Sequence, residues 1–216
     1  MTLKFDFFFS FRSPYSYLAT PMIAKLVNEW DAEATLRVVL PIAVRIPGFF
    51  EQVNPLWPPY LLRDTIRIAQ MNNIRYRVPP RPDPIVMEAP RKVAAEQPHI
   101  YRVSRLGAAA AEAGKGLEFA VETAALIWGG GTDNWHQGDH LVEAANRAGL
   151  HGAALDAKIA ADPAPYDAQI AANEAAQKAT GHWGVPLFGF EGEPFFGQDR
   201  IDHLLWRMKQ KGLEKR

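Results

Sequence analysis

The chain has 216 residues, 24 Lys and Arg balanced by 24 Asp and Glu, and no cysteine. Zero net charge leaves no surplus of cations for a phosphate backbone or an anionic membrane surface, so nucleic acid and membrane partners are not expected. The missing thiols exclude a disulfide framework, an intrinsic dithiol couple, a thiolate zinc site and a cysteine nucleophile, so any thiol chemistry uses a thiol from outside.

This length suits one well-cored domain, or a small domain carrying a large insertion. The N-terminal run MTLKFDFFFSFR is broken by Asp6 and Ser10 and has no small-residue cleavage site. No stretch approaches the roughly 20 apolar residues that span a bilayer. A cytoplasmic protein is expected, with disorder confined to the last residues, KGLEKR.

Residues 3–9 alternate so that Leu3, Phe5, Phe7 and Phe9 share one face of a strand, and Phe8 signals burial of the other face as well. Ser13-Pro14 then opens a helix, with Ser as N-cap and Pro at the first helical position, and Leu18, Met22 and Leu26 continue its apolar stripe. Val- and Leu-rich text from Thr35 to Ile42 predicts a second strand and completes a βαβ unit. Residues 46–59 read as loop, 61–73 as helix and 79–90 as a Pro-rich connection. From about Arg91 to Thr180 the text is Ala-rich and helical, punctuated by Gly107, the glycines at 129–131, Gly149 and Pro163. Strand text returns at 185–190, turns at Glu191-Gly192-Glu193 and resumes at 194–196. A last helix follows with Ile201, Leu204, Leu205 and Met208 on one side. The order is that of an α/β thioredoxin-like βαβ…ββα domain with an all-α insertion after the second strand.

Three places in this plan can carry chemistry. Ser13 stands where a strand gives way to a helix, where free N–H groups and the positive helix end favour an anion and lower a thiol pKa. Its hydroxyl can donate to a bound sulfur, although Ser is also an ordinary cap. Val185-Pro186 precedes a strand; a cis bond there would present the Val185 N–H and C=O to a cysteinyl peptide as an added strand would. An ordinary trans Pro is the alternative. Gln198-Asp199 opens the last helix, where a carboxylate can bind an α-amino group and the helix end its neighbouring carboxylate, or Asp199 simply caps. Ligands of open α/β sheets gather at such strand ends.

Other signals carry less. His136 and His140 have metal-ligand spacing, but Gly138 and the preceding glycines imply a turn and no third ligand is evident. His182 and Trp183 are placed to line the site, with His182 more ordinarily solvated. Asp64 and Arg67 read as a helix-surface pair. GGGTDN follows a helix and is no phosphate loop. Trp57 and Phe49-Phe50 point to an aromatic cavity wall.

The segments FDFFFSFRSPYSYLA (5–19), YLLRDTIRIAQ (60–70) and GVPLFGFEGEPFFGQDRID (184–202), in this order, resemble the 2-hydroxychromene-2-carboxylate isomerases and the related kappa-class glutathione transferases. That family has thioredoxin-like domains with a helical insertion, akin to bacterial disulfide oxidases but with Ser in place of the redox motif. The resemblance implies residues 1–45 and 181–216 as the glutathione-binding domain and 46–180 as the insertion. It implies glutathione as cofactor, Ser13 as the catalytic residue holding its thiolate, Val185 and Pro186 pairing with its cysteinyl unit, and Gln198 and Asp199 binding its γ-glutamyl end. Asn54 falls near a loop Asn that borders the active site. The implied activity is glutathione-dependent isomerisation of an aromatic or unsaturated 2-oxo acid in aromatic-compound degradation, by a homodimer with a small aromatic substrate. A transferase that keeps the conjugate and a non-catalytic thiol- or peptide-binding module are the alternatives. Where members often carry Lys or Arg near Asn54, this chain has Leu56-Trp57-Pro58-Pro59.

Overall fold

The computed structural model describes residues 2–216. The alternating N-terminal segment forms strand β1, Leu3–Phe9, with Phe5, Phe7 and Phe9 buried on one face and Phe8 buried on the other. Helix α1 is Pro14–Glu29, capped by Ser13 with Pro14 in its first turn. Strand β2, Ala32–Val38, runs parallel to β1, with Leu3 opposite Ala32 and Phe9 opposite Val38.

β2 therefore begins three residues before the expected Thr35 and ends at Val38. The apolar run continues through Leu40, but Pro41 has no N–H to give a ladder, and the Leu40 amide donates instead to the Glu174 carboxylate (3.1 Å). The segment expected to be loop contains two short helices, α2 (Ile42–Arg45) and α3 (Phe49–Gln52), and the start of α4 (Trp57–Met71). Pro58 and Pro59 fit the first turn of α4 because first-turn amides have no intrahelical partner.

The Pro-rich connection leads into a small hairpin, β3 (Met87–Ala89) and β4 (Lys92–Val93), where helix was expected from Arg91. Helices α5 (Ile100–Glu112), α6 (Gly116–Trp128), α7 (His140–Arg147), α8 (Gly152–Ala161) and α9 (Ala164–Ala179) follow. Gly107 is not punctuation. It lies inside α5, where a Cβ would stand 2.7 Å from the Phe11 ring and 3.0 Å from Val38. The glycine is the contact that lets α5 lie against β2 and the end of β1.

Strands β5 (Leu187–Phe190) and β6 (Glu193–Phe196) form the expected hairpin. A 3₁₀ turn (Gln198–Arg200) leads into α10 (Ile201–Gln210). Glu191 and Gly192 both have positive φ (49° and 81°), as a tight two-residue hairpin turn requires. The sheet order is β2-β1-β5-β6, with β5 antiparallel to β1. At the outer edge of β2, the Val38 carbonyl accepts from Asn173 of α9 and the Ala32 carbonyl from Arg216. The tail expected to be disordered is tied down: Leu213 is buried, Lys215 forms a bridge with Trp30, and the Arg216 amide donates to Glu29.

The core is aromatic where sheet and helices meet. Phe188 packs on Phe7 (centroids 5.1 Å), Phe9 on Phe11 (4.9 Å) and Phe11 on Phe119 of α6 (5.9 Å). Each such ring contributes about 1.5–3 kcal/mol by leaving water, so one continuous column holds the end of β1, and with it the start of α1, in place.

Candidate functional site

At that end of β1 a cavity of about 1440 Å³ is lined by Ser13, Asn54, Val185, Pro186, Gln198 and Asp199 together. The six residues named from sequence are thus brought to one space. The Ser13 Oγ accepts from the Ser16 amide (3.1 Å), the bond of an N-cap. One hydroxyl proton remains, so capping and donation to an anion are compatible at this residue. Ser10 stands beside it in the wall, and its buried Oγ has no hydrogen-bond partner among the described residues.

The Val185-Pro186 peptide is cis. The neighbouring backbone groups are all engaged: Gly184 N donates to His182 Nδ1, the Gly184 carbonyl accepts from Gln177, and the Pro186 carbonyl accepts from Gly197 N. Among the described residues the Val185 N–H and C=O have no internal partner. They are a donor and an acceptor side by side in the cavity wall, the pattern an extended peptide needs in order to pair.

The γ-glutamyl candidates are less free. Asp199 is exposed and ion-paired with its neighbour Arg200 (2.8 Å), and with Gln198 it belongs to the 3₁₀ turn before α10 rather than to the helix itself. Asn54 Oδ1 accepts from the Leu56 amide (3.0 Å), which fixes the turn into α4 and leaves the side-chain NH₂ for a ligand.

The aromatic wall consists of Phe49, which meets Trp57 (6.1 Å) and Trp183 (6.4 Å) edge to face, and Phe50, which lies under the Arg12 guanidinium (5.3 Å). His182 is held instead of solvated: it stacks on Phe196 (3.8 Å) and Trp183 (5.3 Å), and burial lowers its pKa from the ordinary 6.5. His136 packs against His99 (4.1 Å) and Trp135, away from this cavity. Among the described residues no group of three His, Asp or Glu is placed to hold a metal, and no helix is long and apolar enough to cross a membrane.

The DsbA-like thioredoxin domain family matches residues 4–209. The chain belongs to that family. In this DsbA-like chain the cis proline and the Ser13 helix cap line one cavity, and the chain has no cysteine. No curated protein sequence matches it. A 2-hydroxychromene-2-carboxylate isomerase structure is similar at 24% identity and TM-score 0.61, over 96% of this chain and 95% of that one. A probable DsbA oxidoreductase from Streptomyces coelicolor superposes at 16% identity and TM-score 0.69, over 96% and 89%. The cytosolic disulfide reductase DsbM from Pseudomonas aeruginosa, solved with GSH, does so at 15% and 0.60, over 97% and 100%. These likenesses establish the shared fold.

Three site features of this DsbA-like chain escape sequence reasoning. Asp64, whose spacing from Arg67 suggests a helix-surface pair, lines the cavity and accepts from the Tyr15 hydroxyl (2.7 Å). Burial first, then that bond and the Asp64 charge, push the Tyr15 pKa well above the ordinary 10.0. Arg12 is fixed bidentately by Asp83 (3.2 Å twice). Arg45 reaches across from α2 to the loop that holds Trp183. Each pairing spans 49 residues or more, so no local spacing announces it.

Proposed function

We propose that this chain binds glutathione at the Ser13 end of α1 and uses it to isomerise an unsaturated aromatic 2-oxo acid. The observation that carries the reading is the unpaired Val185 N–H and C=O in the same cavity wall as the Ser13 hydroxyl. A cysteinyl unit paired there as an added strand would bring its sulfur to the helix cap. Similarity to an isomerase structure and to a DsbM structure solved with GSH lends support.

The residues divide the work. Val185 orients the peptide through two backbone bonds. Ser13 donates its remaining proton to the sulfur, and the N-terminal amides of α1 add their partial positive charge, so the anion is favoured at neutral pH. Phe49, Trp57 and Trp183 offer flat apolar surface to an aromatic second substrate and exclude water from the reacting atoms. Bound glutathione supplies a nucleophile that adds to a conjugated double bond, turning it into a rotatable single bond, and then leaves unchanged. Holding both reactants in one cavity converts a bimolecular step into an intramolecular one.

The absence of cysteine leaves this chain no dithiol of its own, which separates it from the oxidoreductases that share its fold. The test is turnover of unsaturated aromatic 2-oxo acids with and without glutathione. Isomerisation that needs glutathione and returns it intact is expected; turnover without glutathione defeats the proposal. A product heavier by one glutathione would assign the chain to the transferases.

A further inference from the structure

We propose that Arg45 is the carboxylate receptor of this cavity, standing beside Trp183 to take the anionic end of a bound ligand. Among the described residues four cationic side chains line the space: Arg12, Lys25, Arg45 and Arg200. Three are matched by carboxylates: Arg12 by Asp83 (3.2 Å), Lys25 by Glu29 (3.8 Å) and Arg200 by Asp199 (2.8 Å). Arg45 differs. Its Nε donates to the Leu40 carbonyl (2.8 Å), Nη1 to Gln177 Oε1 (3.0 Å) and Nη2 to the Trp183 carbonyl (3.1 Å), all uncharged oxygens. No carboxylate lies within 4.0 Å of it among the described residues. Glu174 is the acidic group whose charge it feels, and one oxygen of Glu174 is committed to the Leu40 amide.

Glu174 acts on this half-buried guanidinium without a direct ion pair, so a carboxylate in contact would add to its stabilisation. Three of its five N–H groups are used, which leaves one on each Nη to donate to an incoming oxygen. Those bonds also fix its place. Trp183 is two residues before Val185, and its ring meets Phe49, so an anion on Arg45 lies between the peptide-pairing groups and the aromatic wall. Two sources have this chemistry: the glycyl carboxylate of glutathione, which rests on the function proposed above, and the carboxylate of the second substrate.

Calorimetric titration with two ligand pairs tests it. One pair is glutathione and its glycyl carboxamide; the other is an unsaturated aromatic 2-oxo acid and its methyl ester. In wild type the acid of one pair should bind about tenfold or more tighter than its neutral analogue, as a charged hydrogen bond provides. Arg45→Gln should erase that preference, and Arg45→Lys should keep part of it. Loosening of the Trp183 loop would weaken acid and neutral ligand alike, so the ratio isolates the charge. Which pair responds names the source. A wild-type protein without preference in either pair, or a preference that survives Arg45→Gln, overturns the proposal. If glutathione fails to bind at all, the function above falls while the 2-oxo acid pair still decides Arg45.

Discussion

Ser13→Ala separates two roles of a single hydroxyl. As an acceptor the oxygen satisfies the Ser16 amide at 3.1 Å, and losing a cap of this kind costs about 1 kcal/mol. For a chain of this size that lowers Tm by about 2–4 °C. As a donor the proton is free for the glutathione sulfur. A hydrogen bond to a charged group is worth about 1.5–3 kcal/mol, so its loss should raise the pKa of the bound thiol by roughly 1–2 units. The assay is a pH titration of the ultraviolet thiolate absorbance of bound glutathione, with thermal unfolding measured in parallel. Ser13→Thr, which keeps both functions, should restore both readouts. A fall in Tm with an unchanged thiol pKa would refute the catalytic role and leave Ser13 a helix cap.

Other outcomes follow from specific contacts. Gly107→Ala places a methyl 2.7 Å from the Phe11 ring; overpacking of about 1–3 kcal/mol should exceed the up to about 1 kcal/mol gained in helix propensity, and thermal denaturation should show net destabilisation. Arg91 donates to the carbonyls of Phe50 (2.6 Å), Glu51 (3.1 Å) and Val53 (2.7 Å), so Arg91→Ala should loosen the aromatic wall, raising KM for the second substrate several-fold while glutathione affinity measured by calorimetry stays constant. Burial lowers the pKa of both His99 and His136 from 6.5, and the charge of His99 adds to the effect on His136. The unfolded chain then binds more protons below that value, so denaturant stability should be intact above about pH 6.5 and fall on acidification, less steeply in His136→Gln. Trp135→Ala, at a fully buried ring whose Nε1 donates to the Pro82 carbonyl (2.8 Å), should cost about 3–5 kcal/mol in the same assay.

Local rules carried the two ends of the chain. Period-two phenylalanines, a Ser-Pro helix start and a hairpin flanked by aromatic strands each depend on residues a few positions apart, and each formed where expected. The middle was harder because its cues conflict. Pro58 and Pro59 look like loop but open α4; Gly107 looks like a break but is a contact; Leu40 looks like strand but its amide turns to α9. The cavity was legible as six residues, while Asp64, Arg12 and Arg45 depend on partners distant in sequence. The KGLEKR tail reads as polar and free, yet its order comes from Trp30 and from carbonyls at the end of α1 that Arg216 happens to reach.

The side chains that close the outer edge of β2 have a further consequence. Asn173 and Arg216 occupy carbonyls at its two ends, and on the opposite margin β6 is four residues long and includes Pro194, which has no amide to offer a neighbour. Neither margin presents the long, open row of donors and acceptors on which another chain could template a fifth strand. The margins of this four-stranded sheet therefore disfavour edge-to-edge ribbons between copies of the chain.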